Sequence, residues 1–102
     1  MNFIKTITAA ELAQKLDNKE PLHLIDVREH EEVATGMIPT AQHIPMGEIP
    51  VTLHKLDKQT PYIFICRSGN RSGQVCLFLQ EQGYDVTNMV GGMLEWTGEI
   101  VF

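Results

Sequence analysis

The chain has 102 residues, 43% hydrophobic and 21% charged, with a formal net charge of -5. That length and composition describe one soluble domain, residues 1–102, with a core that needs neither metal nor disulfide support. The acidic balance argues against nucleic acid as a partner, because phosphate binding needs a basic face.

Thr8-Ala9-Ala10-Glu11 has the spacing of a capping box, so a helix is predicted from there to about Asp17, with Leu12 and Leu16 on one face. Leu22-His23-Leu24-Ile25-Asp26-Val27 is apolar and partly β-branched and reads as a buried strand. Glu29 to Thr35 reads as a short helix with an acidic start, closed by Gly36. Ala41 to Ile44 is a candidate strand cut off by Pro45, and Gly47 to Leu56 carries Ile49, Leu53 and Leu56 at helical spacing. Tyr62 to Ile65 is the clearest strand and Ser72 to Gln82 the clearest helix, closed by Gly83. Val86 to Val90 reads as a further strand and Gly92 to Gly98 as a last helix.

Alternating strands and helices predict an α/β layered fold with a mainly parallel sheet. Ligands of such folds sit beyond the carboxyl ends of the strands. Asp26-Val27-Arg28, the loop after Ile65 and the Gly91-Gly92 turn all fall on that edge.

The loop is the chemically loaded stretch. Tyr62-Ile63-Phe64-Ile65 stops at Cys66, and Arg67-Ser68-Gly69-Asn70-Arg71-Ser72 follow. The bland reading is a buried cysteine in a strand-to-helix turn. The alternative is a nucleophile. A loop that curls into a helix aims successive amides at one point. Such donors, with nearby arginines, lower a thiol's pKa and favour the reactive thiolate. A turn does not need two arginines and two serines, which favours the nucleophile. Cys76, among Val75, Leu77, Phe78 and Leu79, reads as core.

Two cysteines ten residues apart form no disulfide framework, which favours a reducing cytoplasm. No targeting segment or bilayer-spanning run is visible, so no membrane partner is expected. His23, His30, His43 and His54 are dispersed, without metal-ligand spacing, so no metal is expected.

Cys66-Arg67-Ser68-Gly69-Asn70-Arg71-Ser72 resembles the active-site loop of rhodanese-type sulfurtransferases. Leu24-Ile25-Asp26-Val27-Arg28-Glu29, continuing through Glu32, Gly36-Met37-Ile38-Pro39, Ala41 and Ile44-Pro45, is similar to that family's N-terminal signature. Gly91-Gly92-Met93-Leu94-Glu95-Trp96 is similar to its C-terminal signature. The three occur in order over residues 22 to 98. Met37 and Thr40 depart from the family, which often has histidine and glycine there.

The resemblance implies a single rhodanese-like domain, with a mainly parallel five-stranded sheet flanked by helices on both faces. It implies a two-step sulfur transfer through a Cys66 persulfide, without cofactor. The partners would be a small donor such as thiosulfate and an acceptor, either cyanide or a thiol, including a protein thiol. The amides of Arg67 to Arg71 would form the cradle and Arg67 would meet an anionic donor. Arg71 would brace the loop through Asp26 or another carboxylate. Ser68 and Ser72 would add hydroxyls, with Ser72 as a helix cap. Asp26 and Arg28 are candidates for indirect support, against the reading of a structural ion pair. Trp96 reads as a core or rim aromatic. Phosphatases and arsenate reductases use a wider C-x5-R loop. The C-x4-R spacing of Cys66 to Arg71 suits a single sulfur better. Non-catalytic relatives of the family typically lack the cysteine.

Overall fold

The computed structural model describes residues 3–102. Five strands form one sheet: β1 (Lys5–Thr8), β2 (Leu24–Asp26), β3 (Gln42–His43), β4 (Pro61–Ile65) and β5 (Asp85–Val90). Their order is β1-β5-β4-β2-β3, with every pairing parallel. The helices are α1 (Ala9–Asp17), α2 (His30–Val33) and α3 (Asn70–Glu81).

The five-stranded α/β architecture is as expected, but its fifth strand lies where no strand was predicted. Lys5–Thr8 is an edge strand on which only Ile7 is buried, so it lacks an apolar run to announce it. β5 supplies the partner that makes it a strand, at the register Ile7 to Met89. The capping box is present: Thr8 Oγ1 accepts from the Glu11 amide at 3.0 Å and Glu11 Oε1 accepts from the Thr8 amide at 2.9 Å.

The sheet is covered on both faces, as the period-two alternation of β4 requires. Tyr62, Phe64 and Cys66 join Val75, Cys76 and Leu79 of α3 in one core cluster. Ile63 and Ile65 join Leu12 of α1, Met89 and Ile38 in the other. Cys66 therefore sits in phase with the residues that face α3.

Several boundaries differ from expectation. The segment from Gly47 to Leu56 forms two 3-10 turns, Met46–Glu48 and Pro50–Lys55, rather than one α-helix. Proline in the middle removes a donor and resets the turn. Gly92 to Glu95 is likewise a 3-10 turn, not a helix reaching Gly98. α3 begins at Asn70, two residues before Ser72, with Gly69 as its N-cap. Thr40 occupies the left-handed region at φ +72°. A threonine is costly there, whereas a glycine would adopt that conformation without strain.

The chain runs from β2 outward to β3, and from β4 the opposite way to β5. The direction reverses between β2 and β4, whose last rung is the Val27 amide to the Ile65 carbonyl at 2.9 Å. Open parallel sheets leave a crevice at such a point, and Cys66 emerges beside it.

Candidate active site around Cys66

β4 is a central strand held on both sides, so Cys66 starts from a rigid base. The loop turns at Gly69, whose φ of +99° L side chains rarely adopt. A Cβ there would also come within 3.1 Å of the Gly91 amide.

The Gly91-Gly92 turn clamps the loop from below. The Met93 amide donates to the Cys66 carbonyl at 2.9 Å and the Leu94 amide to the Arg67 carbonyl at 3.0 Å. That approach leaves no room for a side chain: a Cβ on Gly92 would lie 2.4 Å from the Arg67 carbonyl oxygen. Two carbonyls are thereby satisfied on the side away from the thiol.

On the thiol side the donors converge. The Gly69 amide lies 3.1 Å from Cys66 Sγ, the Ser72 amide 3.3 Å and the Ser72 hydroxyl 3.2 Å. Burial by itself raises the thiol's pKa. The hydroxyl of Ser72 and the amides of Ser72, Gly69 and Ser68 outweigh it, so the net direction is downward from the ordinary value. The Ser72 amide lies outside the expected span of 67 to 71, because the helix starts early and puts Ser72 in its first turn. Amides of that turn have no carbonyl of their own helix to bond.

Ser72 is thus not the helix cap that its position suggested. It is fully buried, and its hydroxyl touches Cys66 Sγ and also Asn88 Oδ1, the latter at 2.5 Å. Asn88 was not foreseen. It lies on β5 and its Nδ2 donates to the Gly69 carbonyl at 3.1 Å. The available signal was a lone asparagine amid Val86, Met89 and Val90, since a buried amide must be bonded.

Arg71 braces the loop, but not through Asp26. Its guanidinium makes a two-pronged pair with Glu32 on α2, at 2.6 and 2.7 Å. The Arg71 hydrogen bonds hold the Glu32 carboxyl down at about 2, against a smaller opposing effect of burial. Asp26 is committed elsewhere. Arg28 Nε lies 3.0 Å from both Asp26 oxygens, and Arg28 Nη2 donates to Asp26 Oδ2 and to the Gly36 carbonyl, each at 2.8 Å. With Asp26 0% and Arg28 4% exposed, this is a buried structural ion pair. It supports the site at one remove, because Arg28 also bonds the Glu32 carbonyl at 3.3 Å and so anchors the helix that holds Arg71.

Arg67, Ser68 and Asn70 are exposed along the loop. Arg67 belongs to none of the ion pairs among the described residues. It lines a cleft of about 360 Å³ with Arg28, Glu31, Glu32, Met93 and Leu94. A roomier hollow of about 500 Å³ lies at the far end of the sheet, beside Lys5, Lys15 and Tyr62, and is lined by no cysteine.

Among the described residues the histidines, Cys76 and Trp96 make no hydrogen bond to the sulfur. His43 Nε2 bonds the Arg28 carbonyl at 2.7 Å and its ring meets His30 edge-on. His23 packs edge-on against Tyr62. Cys76 is fully buried, and its thiol is pushed up to about 12 by burial and by the charge on Cys66. Trp96 packs on the α1 side of the sheet and donates to the Glu99 carbonyl at 3.0 Å. No cluster of three or more His, Cys, Asp or Glu suited to a metal occurs among the described residues. No helix among them is long and apolar enough to cross a membrane.

The Rhodanese-like domain family model matches residues 8–99. A Bacillus subtilis protein named "Putative sulfurtransferase YtwF" is 56% identical over 96 residues, covering 94% of this chain and 93% of its own. An Allochromatium vinosum protein named "Sulfurtransferase" is 39% identical over 95 residues, covering 92% and 89%. The crystal structure of a Rhodanese-like domain protein from Staphylococcus aureus superposes with a TM-score of 0.91 at 40% identity, covering 97% of this chain and 98% of that one. The chain belongs to the rhodanese-like domain family.

Proposed function

We propose that this protein is a sulfurtransferase in which Cys66 carries the sulfur. The observation that carries the reading is the set of three donors, two amides and one hydroxyl, at 3.1 to 3.3 Å from Cys66 Sγ. Such a set stabilises negative charge on sulfur, in the resting thiolate and in the transition state of transfer. The names of its relatives point to the same chemistry.

In the first half-reaction the Cys66 thiolate forms a bond to the outer sulfur of a donor such as thiosulfate. The donor's S–S bond breaks and its electron pair leaves on sulfite. In the second, an acceptor, cyanide or a thiol, attacks the outer sulfur of the persulfide. The pair of that S–S bond returns to Cys66 as thiolate. Arg67 is the proposed guide for an anionic donor, as an exposed cation next to Cys66 in the chain that enters none of the ion pairs among the described residues. The loop from Arg67 to Ser72 would hold the outer sulfur, and no cofactor is required. Cys66 is buried, so a donor reaches its sulfur only as the atoms that cover it move aside. A carrier that works through a free thiolate needs reducing surroundings, which makes the cytoplasm its proposed place of action.

The test is the intact mass after incubation with thiosulfate, followed by peptide mapping, with aryl-phosphate hydrolysis run beside it. One added sulfur on Cys66, absent in Cys66→Ser and removed by cyanide, is the expected result. Phosphate turnover without sulfur loading would refute the assignment.

A further inference from the structure

The Ser72 hydroxyl has one proton and two acceptors within reach. Cys66 Sγ lies at 3.2 Å and Asn88 Oδ1 at 2.5 Å. The orientation of the Asn88 amide follows from its other end. Nδ2 donates to the Gly69 carbonyl, and a flipped amide would set two oxygens against each other there. Asn88 Oδ1 therefore faces Ser72, and as an amide oxygen it cannot donate. At 2.5 Å the contact is favourable only if Ser72 supplies the proton. Ser72 Oγ then turns a lone pair to the sulfur, and the Cys66 S–H donates to it. That chain, S–H to O–H to the amide carbonyl, is complete for a neutral thiol.

A thiolate cannot use it. It needs the Ser72 proton for itself, and taking it leaves Asn88 Oδ1 buried without a donor. Ser72 is 0% and Asn88 8% exposed, so water offers little relief. We propose that Asn88 is a positioning residue that competes with Cys66 for the Ser72 proton, so that the hydroxyl changes partner whenever the sulfur changes charge. On ionisation the thiol proton leaves to water, and Ser72 keeps its own proton and rotates it from Asn88 to sulfur. Once Cys66 carries a second sulfur, Sγ is a neutral divalent atom and the hydroxyl returns to Asn88. Discharge of the sulfur reverses the rotation. The role in the transfer cycle rests on Cys66 being the sulfur carrier; the competition itself does not.

The other charged or titratable groups around the thiol are Arg67, next to Cys66 in the chain, and Arg71 and Cys76 on α3, with Glu32 behind Arg71. The Asp26–Arg28 pair ends β2, and Glu95 lies on the Gly92 turn. All are unchanged in the variants below.

The test is the ultraviolet titration of thiolate absorbance in the full chain, with Cys66→Ser subtracted to remove Cys76 and tyrosine signals. Four proteins are compared: unaltered, Asn88→Leu, Ser72→Ala and the double variant. Asn88→Leu should lower the Cys66 midpoint by about one pH unit, the size of one ordinary hydrogen bond. In the Ser72→Ala background the same change should move it by less than about a third of that. A midpoint unmoved or raised by Asn88→Leu, or an equal fall without Ser72, overturns the proposal. Asn88→Val, which suits a strand, replaces leucine if the larger side chain disturbs folding by circular dichroism. The titration uses no sulfur donor. Coupling without sulfur loading would sink the transferase reading alone, and loading without coupling would sink this inference alone.

Discussion

Replacing Glu32 by glutamine isolates the charge of the brace that holds the cysteine loop. Glutamine keeps the side-chain oxygen that receives the Glu29 amide at 3.0 Å, as a capping box allows. It removes the negative partner of Arg71. The fall of the Glu32 carboxyl from 4.5 to about 2 would be worth roughly 3 kcal/mol at full value. The pair is partly open to solvent, with 34% of the Arg71 side chain and 26% of the Glu32 side chain exposed, so screening reduces this to about 1–2 kcal/mol. The folded protein holds the lower pKa and so binds fewer protons there than the unfolded chain. The stabilisation is therefore whole above pH 4.5 and is lost as pH falls toward 2. Urea unfolding of both proteins at neutral pH should show the variant less stable by about 1–2 kcal/mol, a Tm lower by roughly 4–8 °C for each kcal/mol. The gap should narrow as the pH is taken down through 4 and 3, where the unaltered protein loses its advantage. A gap that stays constant with pH would refute the attribution to the ion pair.

Three further outcomes follow from other contacts. Gly92→Ala puts a Cβ 2.4 Å from the Arg67 carbonyl oxygen at a φ of +59°; sulfur loading should fall at least tenfold and stability by about 2 kcal/mol or more, read by mass and by urea unfolding. Arg67→Ala removes an exposed side chain that makes none of the described ion pairs, so stability should stay within about 0.5 kcal/mol while KM for thiosulfate rises several-fold; an unchanged KM in steady-state assays would remove Arg67 from donor binding. Thr40→Gly relieves a left-handed threonine at φ +72° and should stabilise by about 0.5–1 kcal/mol, with loading unaffected.

The legible parts of the fold were those whose cause lies within a few residues. The capping box of Thr8 and Glu11, the apolar run into Cys66 and the glycines that close helices each act over one turn of chain. Lys5–Thr8 was not legible as a strand, because nothing in KTIT demands one until β5 lies beside it. The 3-10 turns around Pro50 were read as one helix, because apolar spacing near three or four does not separate the two geometries.

The same division runs through the site. The sequence by itself determined that a thiol ends a buried strand, and that a glycine-containing loop of C-x4-R spacing carries it into a helix N-terminus. Those are local properties of the strand, the turn and the first helical turn. Tertiary structure decided which groups complete them. The partner of Arg71 is 39 residues away on α2, and the second acceptor for Ser72 is 16 residues away on β5. The Gly92 turn reaches Cys66 only because β4 and β5 run side by side. Arginine accepts any carboxylate and serine any acceptor, so residue type leaves the partner open. The packing of α2, β5 and the turn around β4 is what selects Glu32, Asn88 and the two carbonyls.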